Sequence, residues 1–219
     1  MFGKKQEEEH NIWISFSDLF SGFMVIFIVV SLMLFNRDPV KNKYSEMSED
    51  FKKRFSEIKE IQIPDDEATI RFKFDENSPS PLFILGKSEP TPYFQSLLDK
   101  FIPIFYSEIK KLHSDTTKFK IKEIRIEGHT DNSSSYIYNL NLSSNRALEV
   151  QKYILDSRFV TDNLDKTVKA FVEQNSISCG YSYARALDND GNFITKSGKP
   201  VSPAKSRRVE FRILLENKK

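Results

Sequence analysis

One acidic residue, Asp18, lies inside the only apolar stretch that is long enough to cross a membrane, residues 12–35. A helix rises about 1.5 Å per residue, so this stretch covers a hydrocarbon core of roughly 30 Å. An aspartate at the centre of such a helix costs about 2.5 to 3.5 kcal/mol on insertion scales, so its usual role is functional. The chemistry that this residue predicts is the binding and release of an ion within the membrane.

The residues near Asp18 are suited to contact with other helices. Positions three and four apart share a helix face, which places four small or polar neighbours beside the carboxyl group: Ser15, Ser21, Gly22 and Val25. Small residues let neighbouring helices approach and shield a carboxylate from lipid. We therefore expect partner helices, with Ser15, Ser21 and Gly22 lining the ion path.

The alternative is that Asp18 caps a helix that begins at Leu19, near the lipid headgroups. A cleaved signal peptide is disfavoured, because the apolar run is too long, no Ala-x-Ala-like site follows it, and three glutamates dilute the preceding basic residues. Basic residues flank the stretch on both sides, so charge alone does not decide its orientation.

A second group of chemically capable residues follows a predicted strand. The chain reads Ile126-Glu127-Gly128-His129-Thr130-Asp131 and then Tyr138-Asn139-Leu140-Asn141-Leu142-Ser143-Ser144-Asn145-Arg146-Ala147. An acceptor-only carboxylate and a forked guanidinium match the ammonium and carboxylate of an amino-acid-like ligand. On residue types alone, Asp131 and Arg146 would form an ordinary surface ion pair.

These two blocks, with Lys205-Ser206-Arg207-Arg208-Val209-Glu210 after them, resemble the peptidoglycan-binding domain of the OmpA family. The resemblance extends from about residue 68 to 216. It implies that Asp131 and Arg146 bind the charged groups of diaminopimelate in the cell-wall stem peptide. The remaining positions that match the binding motif are Thr130, Tyr138, Asn139, Leu142 and Arg207.

The chain departs from the family pattern at two places. Ligand contacts from the third block, residues 205–210, are therefore less secure than those from the first two blocks. Ser206 occupies a position where the family usually has asparagine, and Gly180-Tyr181-Ser182 only loosely follows the usual Gly-Tyr-Gly turn. Ser143 and Asn141 are the candidate caps of the helix that carries Arg146.

The elements that must position these residues alternate between strands and helices. Apolar residues recur with period two near residues 70–74, 119–127 and 208–215, and with helical spacing near 91–113, 143–155 and 163–173. Pro103 is expected to bend or split the first of these helices. The pattern predicts an α+β chain whose soluble domain is a two-layer α/β sandwich.

A short amphipathic helix is predicted between the apolar stretch and this domain. Tyr44, Met47, Phe51, Phe55 and Ile58 follow helical spacing. This helix could pair with a second copy, lie on the membrane surface, close a channel, or pack on the following domain. The predicted organisation is an N-terminus over residues 1–11, a span over 12–35, a linker with plug-like helix over 36–66, and the binding domain over 67–219.

Composition excludes several classes of function. The 33 basic and 31 acidic residues are well mixed, so a direct nucleic-acid partner is not expected. The single cysteine, Cys179, is expected in the core, and with three scattered histidines it predicts no metal site. Nucleophile, base and orienting group do not occur together, so neither an enzyme nor a cofactor is expected.

The apolar stretch carries a second resemblance, over Trp13-Ile14-Ser15-Phe16-Ser17-Asp18-Leu19-Phe20-Ser21-Gly22-Phe23-Met24. This segment is similar to the aromatic-small-Asp segment of flagellar stator B subunits of the MotB type, in which the aspartate carries the translocated ion. That family implies two B subunits within a ring of five A subunits, a cytoplasmic N-terminus, and a periplasmic domain that holds the wall.

Within that superfamily the chain most resembles the B subunits of the Zorya anti-phage defence system. The similarity lies in its compact length, its start Met1-Phe2-Gly3, and the run from Ser135 to Ser143. It implies a proton-driven motor of the bacterial inner membrane, although proton and sodium motors share the aspartate. Further implied partners are a MotA-like A subunit, a second copy of this chain, peptidoglycan, and cytoplasmic effectors that act on phage DNA. A flagellar stator subunit and a static wall tether are the alternatives.

Overall fold

The computed structural model describes residues 2–35, 39–64, 68–73, 78–115 and 118–218 of this 219-residue chain. Two compact units are present, Met1–Asn42 and Lys43–Lys219. The first unit is built on helix α1 (Phe2–Phe35). Within it, the segment Phe16–Leu34 is long and apolar enough, by length and composition, to cross a membrane.

Helix α1 runs without a break past Asp18. The alternative in which Asp18 caps a helix that begins at Leu19 is therefore wrong. The side chains of Asp18 and Ser21 are exposed in the single chain, as is Gly22. Ser15 lies in α1, and its side chain is outside the described part of the chain.

The second unit is organised around one five-stranded sheet with the order β1-β2-β5-β3-β4. Its strands are β1 (Ile61–Gln62), β2 (Thr69–Lys73), β3 (Phe119–His129), β4 (Ser176–Gly180) and β5 (Arg208–Asn217). Strand β5 is antiparallel to both β2 and β3, whereas β4 is parallel to β3. The helices are α2 (Pro39–Arg54), α3 (Pro92–Ser114), α4 (Tyr136–Leu155), α5 (Lys166–Asn175), α6 (Ile194–Ser197) and α7 (Pro203–Ser206), with a π-helical turn at Phe159–Asn163.

An aromatic core joins the sheet to α3. Phe72 of β2 and Phe211 of β5 are buried, and their rings lie 5.1 and 4.6 Å from the ring of Phe101 on α3. Alternation along β5 places Val209, Phe211 and Ile213 on this face and charged residues on the other. Helices on one face of a mixed sheet confirm the predicted α+β class, as does the predicted sandwich of helix and sheet layers.

The structure corrects two predictions about the helices. Pro103 does not split α3, since α3 is continuous from Pro92 to Ser114. Helix α4 begins seven residues before Ser143, and its cap is Ser135, whose hydroxyl accepts a hydrogen bond from Tyr138 N at 3.3 Å. Ser143 and Asn141 lie inside the helix. The apolar spacing did not mark its start, because Tyr136, Ile137 and Tyr138 in the first turn are exposed and do not belong to the buried face.

The amphipathic α2 packs on the domain that follows it, which is one of the alternatives that the sequence left open. Phe51 is fully buried, and the ring of Phe55, just after α2, lies 5.4 Å from that of Phe101. Tyr44 also accepts a hydrogen bond from Leu215 N at 2.8 Å. The compact unit that contains the sheet accordingly begins at Lys43 and includes most of α2.

The sequence pattern did not predict the short strands β1 and β4, the short helices α6 and α7, or the π-helical turn. Strand β4 has polar and small residues at most positions, so it lacks the apolar alternation that marks a strand. Cys179 lies on β4, at the sheet edge, and is half-buried rather than in the core. Of the predicted strand at 70–74, Phe74 lies outside the described residues.

Substitution Phe51→Ala tests whether α2 is part of the domain core. Removal of a buried aromatic ring should lower the free energy of unfolding by about 3 to 5 kcal/mol. Denaturant unfolding of the detergent-solubilised full chain, followed by circular dichroism, measures it. The control Ile84→Ala removes an exposed side chain and should change little; equal stability of the Phe51 variant and wild type would mean that α2 does not stabilise the domain.

Candidate functional site

A pocket of about 320 Å³ lies beside the end of β3 and the start of α4. Its lining contains all seven residues that the sequence predicted for ligand binding: Thr130, Asp131, Tyr138, Asn139, Leu142, Arg146 and Arg207. The fold thus joins residues from three separate sequence blocks. The loop residues Leu85 and Gly86 also line the pocket, and no sequence motif identified them.

Helix α4 approaches β3 and β4 unusually closely at two glycines. Gly128 and Gly180 are register partners in the neighbouring parallel strands. A Cβ atom on Gly128 would lie 2.0 Å from the carbonyl oxygen of Ser143, and one on Gly180 would lie 2.3 Å from Ser144 N. Only glycine permits this contact, which places the α4 residue Arg146 beside the segment that follows β3.

Ser182 provides a further connection between α4 and the strand ends. Its backbone N donates to the Ser143 hydroxyl at 3.0 Å, and its own hydroxyl donates to the Tyr136 carbonyl at 2.9 Å. Ser182 has φ of 51°, in the left-handed region where glycine is favoured. Ser182 therefore holds a left-handed backbone conformation that suits glycine, and its side chain adds one hydrogen bond, to the Tyr136 carbonyl.

Asp131 is held by its own loop and by the first turns of α4. Its Oδ1 accepts a hydrogen bond from Ser133 N at 3.0 Å, and the Asn139 side-chain amide donates to its carbonyl at 3.1 Å. Its Oδ2 lies 3.5 Å from Arg207 Nε. The residue is only 8% exposed, so its carboxylate is presented inside the pocket.

Arg146 is fixed from the opposite side by the 83–87 loop. Its Nε donates to the Lys87 carbonyl at 3.0 Å, and its guanidinium lies over the Phe83 ring, 4.8 Å from the centroid. Burial, with the nearby Arg207, lowers the pKa of Arg146 to about 10, while Asp131 opposes this shift. The guanidinium stays charged at neutral pH. Residue types alone suggested a surface ion pair between Arg146 and Asp131, but Arg146 is buried.

A buried ionic layer lies on the sheet face opposite the aromatic core. Glu210 Oε1 accepts hydrogen bonds from Arg71 Nε at 2.7 Å and from Arg208 Nε at 2.6 Å. Glu127 Oε2 accepts one from Arg185 Nη1 at 3.0 Å. Burial alone would raise the pKa of Glu210, but the guanidinium groups of Arg208 and Arg71 hold it well below its usual value.

His129 lies within this layer as a neutral imidazole. It is almost fully buried and stacks on Tyr181 with ring centroids 5.3 Å apart. Its Nε2 is 3.7 Å from Glu127 Oε2 and 3.9 Å from Glu210 Oε2, too far for hydrogen bonds. Burial and the positive charge of Arg208 lower the pKa of His129 to about 4.

Glu127, His129 and Glu210 offer ligand atoms within 4.8 Å of one another, a grouping that their sequence positions did not predict. The two carboxylates are already bonded to arginines. A metal ion would have to displace those guanidinium groups, so the donor set favours a structural ionic layer over a metal centre.

The Ser206 departure from the family pattern has a local explanation. Its hydroxyl accepts a hydrogen bond from Leu187 N at 2.9 Å and donates one to the Leu187 carbonyl at 3.2 Å. Ser206 is fully buried. It fixes the start of β5, and with it Arg207 and Arg208, to the preceding loop.

Comparison with known proteins supports the resemblances that the motifs carry. Residues 95–180 match the OmpA family. The chain is 29% identical over 232 residues to the Zorya protein ZorB of Escherichia coli strain Crooks, with 96% of this chain and 90% of that protein covered. A second Zorya protein ZorB, from an ETEC strain of Escherichia coli, is 27% identical over 220 residues, with 96% and 82% covered. The predicted similarity to the Zorya B subunits is thereby confirmed.

Among solved structures, a MotB-like protein from Desulfovibrio vulgaris aligns with 83% of this chain and 95% of its own, at 17% identity and a TM-score of 0.49. The periplasmic domain of Helicobacter pylori MotB aligns with 70% of this chain and 79% of its own, at 16% identity and a TM-score of 0.39.

Buried neutral His129 should make the stability of the domain depend on pH. Its pKa is about 4 in the folded chain and about 6.5 when unfolded, so only the unfolded chain gains its proton as pH falls between these values. The stabilisation is complete above pH 6.5, and roughly 3 kcal/mol of it is lost by pH 4. The lowered pKa of Glu210 also causes a loss of stability in acid, but that loss begins at a lower pH than the loss caused by His129.

The measurement is urea unfolding of wild type, His129→Gln and His113→Gln at several pH values from 7.5 to 4. The His129 variant should show a smaller loss of stability between pH 6.5 and 4. His113 is exposed, so its variant should follow wild type. An unchanged slope in the His129 variant would contradict a neutral buried imidazole.

Proposed function

We propose that this chain is a membrane-anchored, wall-binding stator subunit of a proton-driven rotary motor that acts in anti-phage defence. One observation carries the proposal. The same chain holds an acidic residue in a membrane-length apolar helix and a separate pocket that joins Asp131 with Arg146. Similarity to the ZorB proteins over 96% of the chain supports the assignment to a Zorya motor.

The pocket chemistry supports binding of the diaminopimelate end of a stem peptide. This end carries an ammonium and a carboxylate on one carbon. The Asp131 carboxylate suits the ammonium, and the Arg146 guanidinium suits the carboxylate. Because both groups are largely buried and held by the surrounding backbone, the site is preorganised and little ordering entropy is lost on binding.

The properties of α1 support ion transfer at Asp18. An exposed carboxyl group in an apolar helix is unfavourable in lipid, so partner helices should cover it. Desolvation would favour the protonated form, and contact with water or a polar group of an A subunit would favour the ionised form. Alternation between these states couples ion passage to rotation of a MotA-like ring, with Ser15, Ser21 and Gly22 lining the path.

The arrangement requires an N-terminus in the cytoplasm and residues 43–219 in the periplasm, where peptidoglycan is found. Two copies of this chain would stand within five A subunits, and wall binding would provide the fixed point against which torque acts. Phage-induced disturbance of the envelope would start rotation. Cytoplasmic effectors, rather than this chain, would act on DNA.

Variants Asp131→Asn and Arg146→Gln test the wall-binding site. Each removes one charge-assisted contact, so affinity for purified peptidoglycan fragments that contain diaminopimelate should fall roughly 10- to 100-fold. The readout is calorimetric titration of the detergent-solubilised full chain. Asp162→Asn and Arg158→Gln remove the same charges from exposed positions outside the pocket and should bind like wild type. If all four variants bound the fragments with the affinity of the wild type, the proposed wall-binding site would be wrong.

Variant Asp18→Asn tests the ion-carrier role. It keeps the size of the side chain but removes its titratable proton, so protection against phage should be abolished. Plating efficiency is measured in a host that expresses the chain with its operon neighbours, and immunoblotting of membranes controls for insertion. Ser31→Asn adds the same polar group elsewhere in α1 and should retain protection. Protection retained by Asp18→Asn would favour a static tether, and absence of protection in wild type would direct attention to swimming assays and a flagellar role.

A further inference from the structure

Leu85 is the most exposed large apolar side chain among the residues that the structure describes, at 88%. Single exposed apolar residues are common on protein surfaces, so exposure alone indicates no function. Leu85 differs from such residues because it lines the pocket that contains Asp131 and Arg146. Its neighbour Ile84 is also exposed but does not line that pocket.

A tight turn that begins at Ile84 holds Leu85 in this position. Lys87 N donates to the Ile84 carbonyl at 2.9 Å, and Gly86 has a φ of 71°, which is typical of the third residue of a type II turn. A Cβ atom on Gly86 would lie 3.4 Å from the Tyr138 hydroxyl, so the turn lies against a side chain of the pocket. Leu85 is the second residue of the turn, at its outer corner, and this position accounts for its exposure.

Arg146 fixes the turn to the binding site. Its Nε donates to the Lys87 carbonyl at 3.0 Å, and its guanidinium lies 4.8 Å from the centroid of the Phe83 ring. An antiparallel bridge between Phe83 and Pro90 closes the loop behind the turn. The residue proposed to bind the ligand carboxylate therefore also holds the segment that carries Leu85.

The pocket combines charged and apolar groups. Leu85, Tyr138 and Leu142 are the large apolar side chains in its described lining, beside the charges of Asp131 and Arg146. A ligand that consisted only of an ammonium and a carboxylate would leave these apolar side chains exposed to water. A diaminopimelate end has a chain of methylene groups behind the charged carbon, and burial of such a chain against an exposed leucine is favourable.

We propose that Leu85 is a specificity-determining residue of this site, which covers the methylene chain of diaminopimelate while Asp131 and Arg146 bind its amino-acid end. This inference rests on the proposed wall-binding function. A protein partner that covered the exposed turn would contact Ile84 as well as Leu85, whereas Leu85 alone of the two lines the pocket. The position of Leu85 therefore favours the wall peptide as the occupant.

Substitution Leu85→Ala tests this role, with Ile84→Ala as the matched control. Calorimetric titration measures binding of the tripeptide L-alanyl-γ-D-glutamyl-meso-diaminopimelate to the detergent-solubilised full chain. Leu85→Ala should weaken binding about tenfold and make the heat-capacity change of binding less negative, because less apolar surface leaves water. Ile84→Ala should bind like wild type, and Leu85→Met, which keeps the apolar volume, should stay within about twofold of it.

A second ligand tests which part of the peptide Leu85 contacts. In this tripeptide, diaminoglutarate replaces diaminopimelate, so both amino-acid groups remain but the methylene chain between them is shorter. Wild type should bind the diaminopimelate peptide about tenfold more tightly, and Leu85→Ala should reduce that preference to less than about threefold. Equal affinity of wild type for the two peptides would overturn the inference.

Thermal unfolding separates a ligand contact from a contact within the fold. Because Leu85 is exposed, Leu85→Ala should leave the unfolding temperature of the ligand-free chain unchanged. A lowered unfolding temperature would mean that Leu85 stabilises the loop, and the proposed role would be wrong.

The same titrations separate this inference from the wall-binding function. If Asp131→Asn weakens binding of the tripeptide and Leu85→Ala does not, wall binding stands and the role of Leu85 is refuted. If wild type does not bind the tripeptide, both proposals fail.

Discussion

The close approach of α4 to the β3–β4 edge is the contact on which the candidate site depends. It is possible because Gly128 and Gly180 stand side by side in parallel strands, with no Cβ to separate the helix from the sheet. The approach brings the α4 positions of Asn139 and Arg146 to the loop that carries Asp131. A Cβ atom at either glycine would lie 2.0 to 2.3 Å from α4 backbone atoms, so the helix would have to shift away from the sheet.

The ionic layer holds the strand residues that lead into the site. Two buried glutamates, Glu127 and Glu210, bind arginines from β2, β5 and the loop after β4. Buried ion pairs give little net stability, but removal of one partner leaves an uncompensated charge, so the layer allows few alternative arrangements. It therefore holds Arg208 next to Arg207, which lines the pocket, while Ser206 fixes the backbone just before them.

The two units of the chain meet different physical conditions. The first is a helix whose apolar surface is exposed in the isolated chain and must be covered by lipid or by other helices. The second has its own aromatic core and includes most of α2, which packs through Phe51.

The sequence by itself determined the elements with strong periodicity and the local chemistry. The apolar stretch around Asp18, the alternating strands β3 and β5, the long α3, and the residues Asp131 and Arg146 follow from spacing, side-chain type and motif, because these features are local. Tertiary structure decided what depends on neighbours distant in the chain. The weak strand β4 forms because β3 offers it a parallel partner. The end of the α2 segment joins the core because Phe55 packs against Phe101, and the pocket exists only where Asp131, Arg146 and Arg207 meet. No periodicity within one segment carries those contacts.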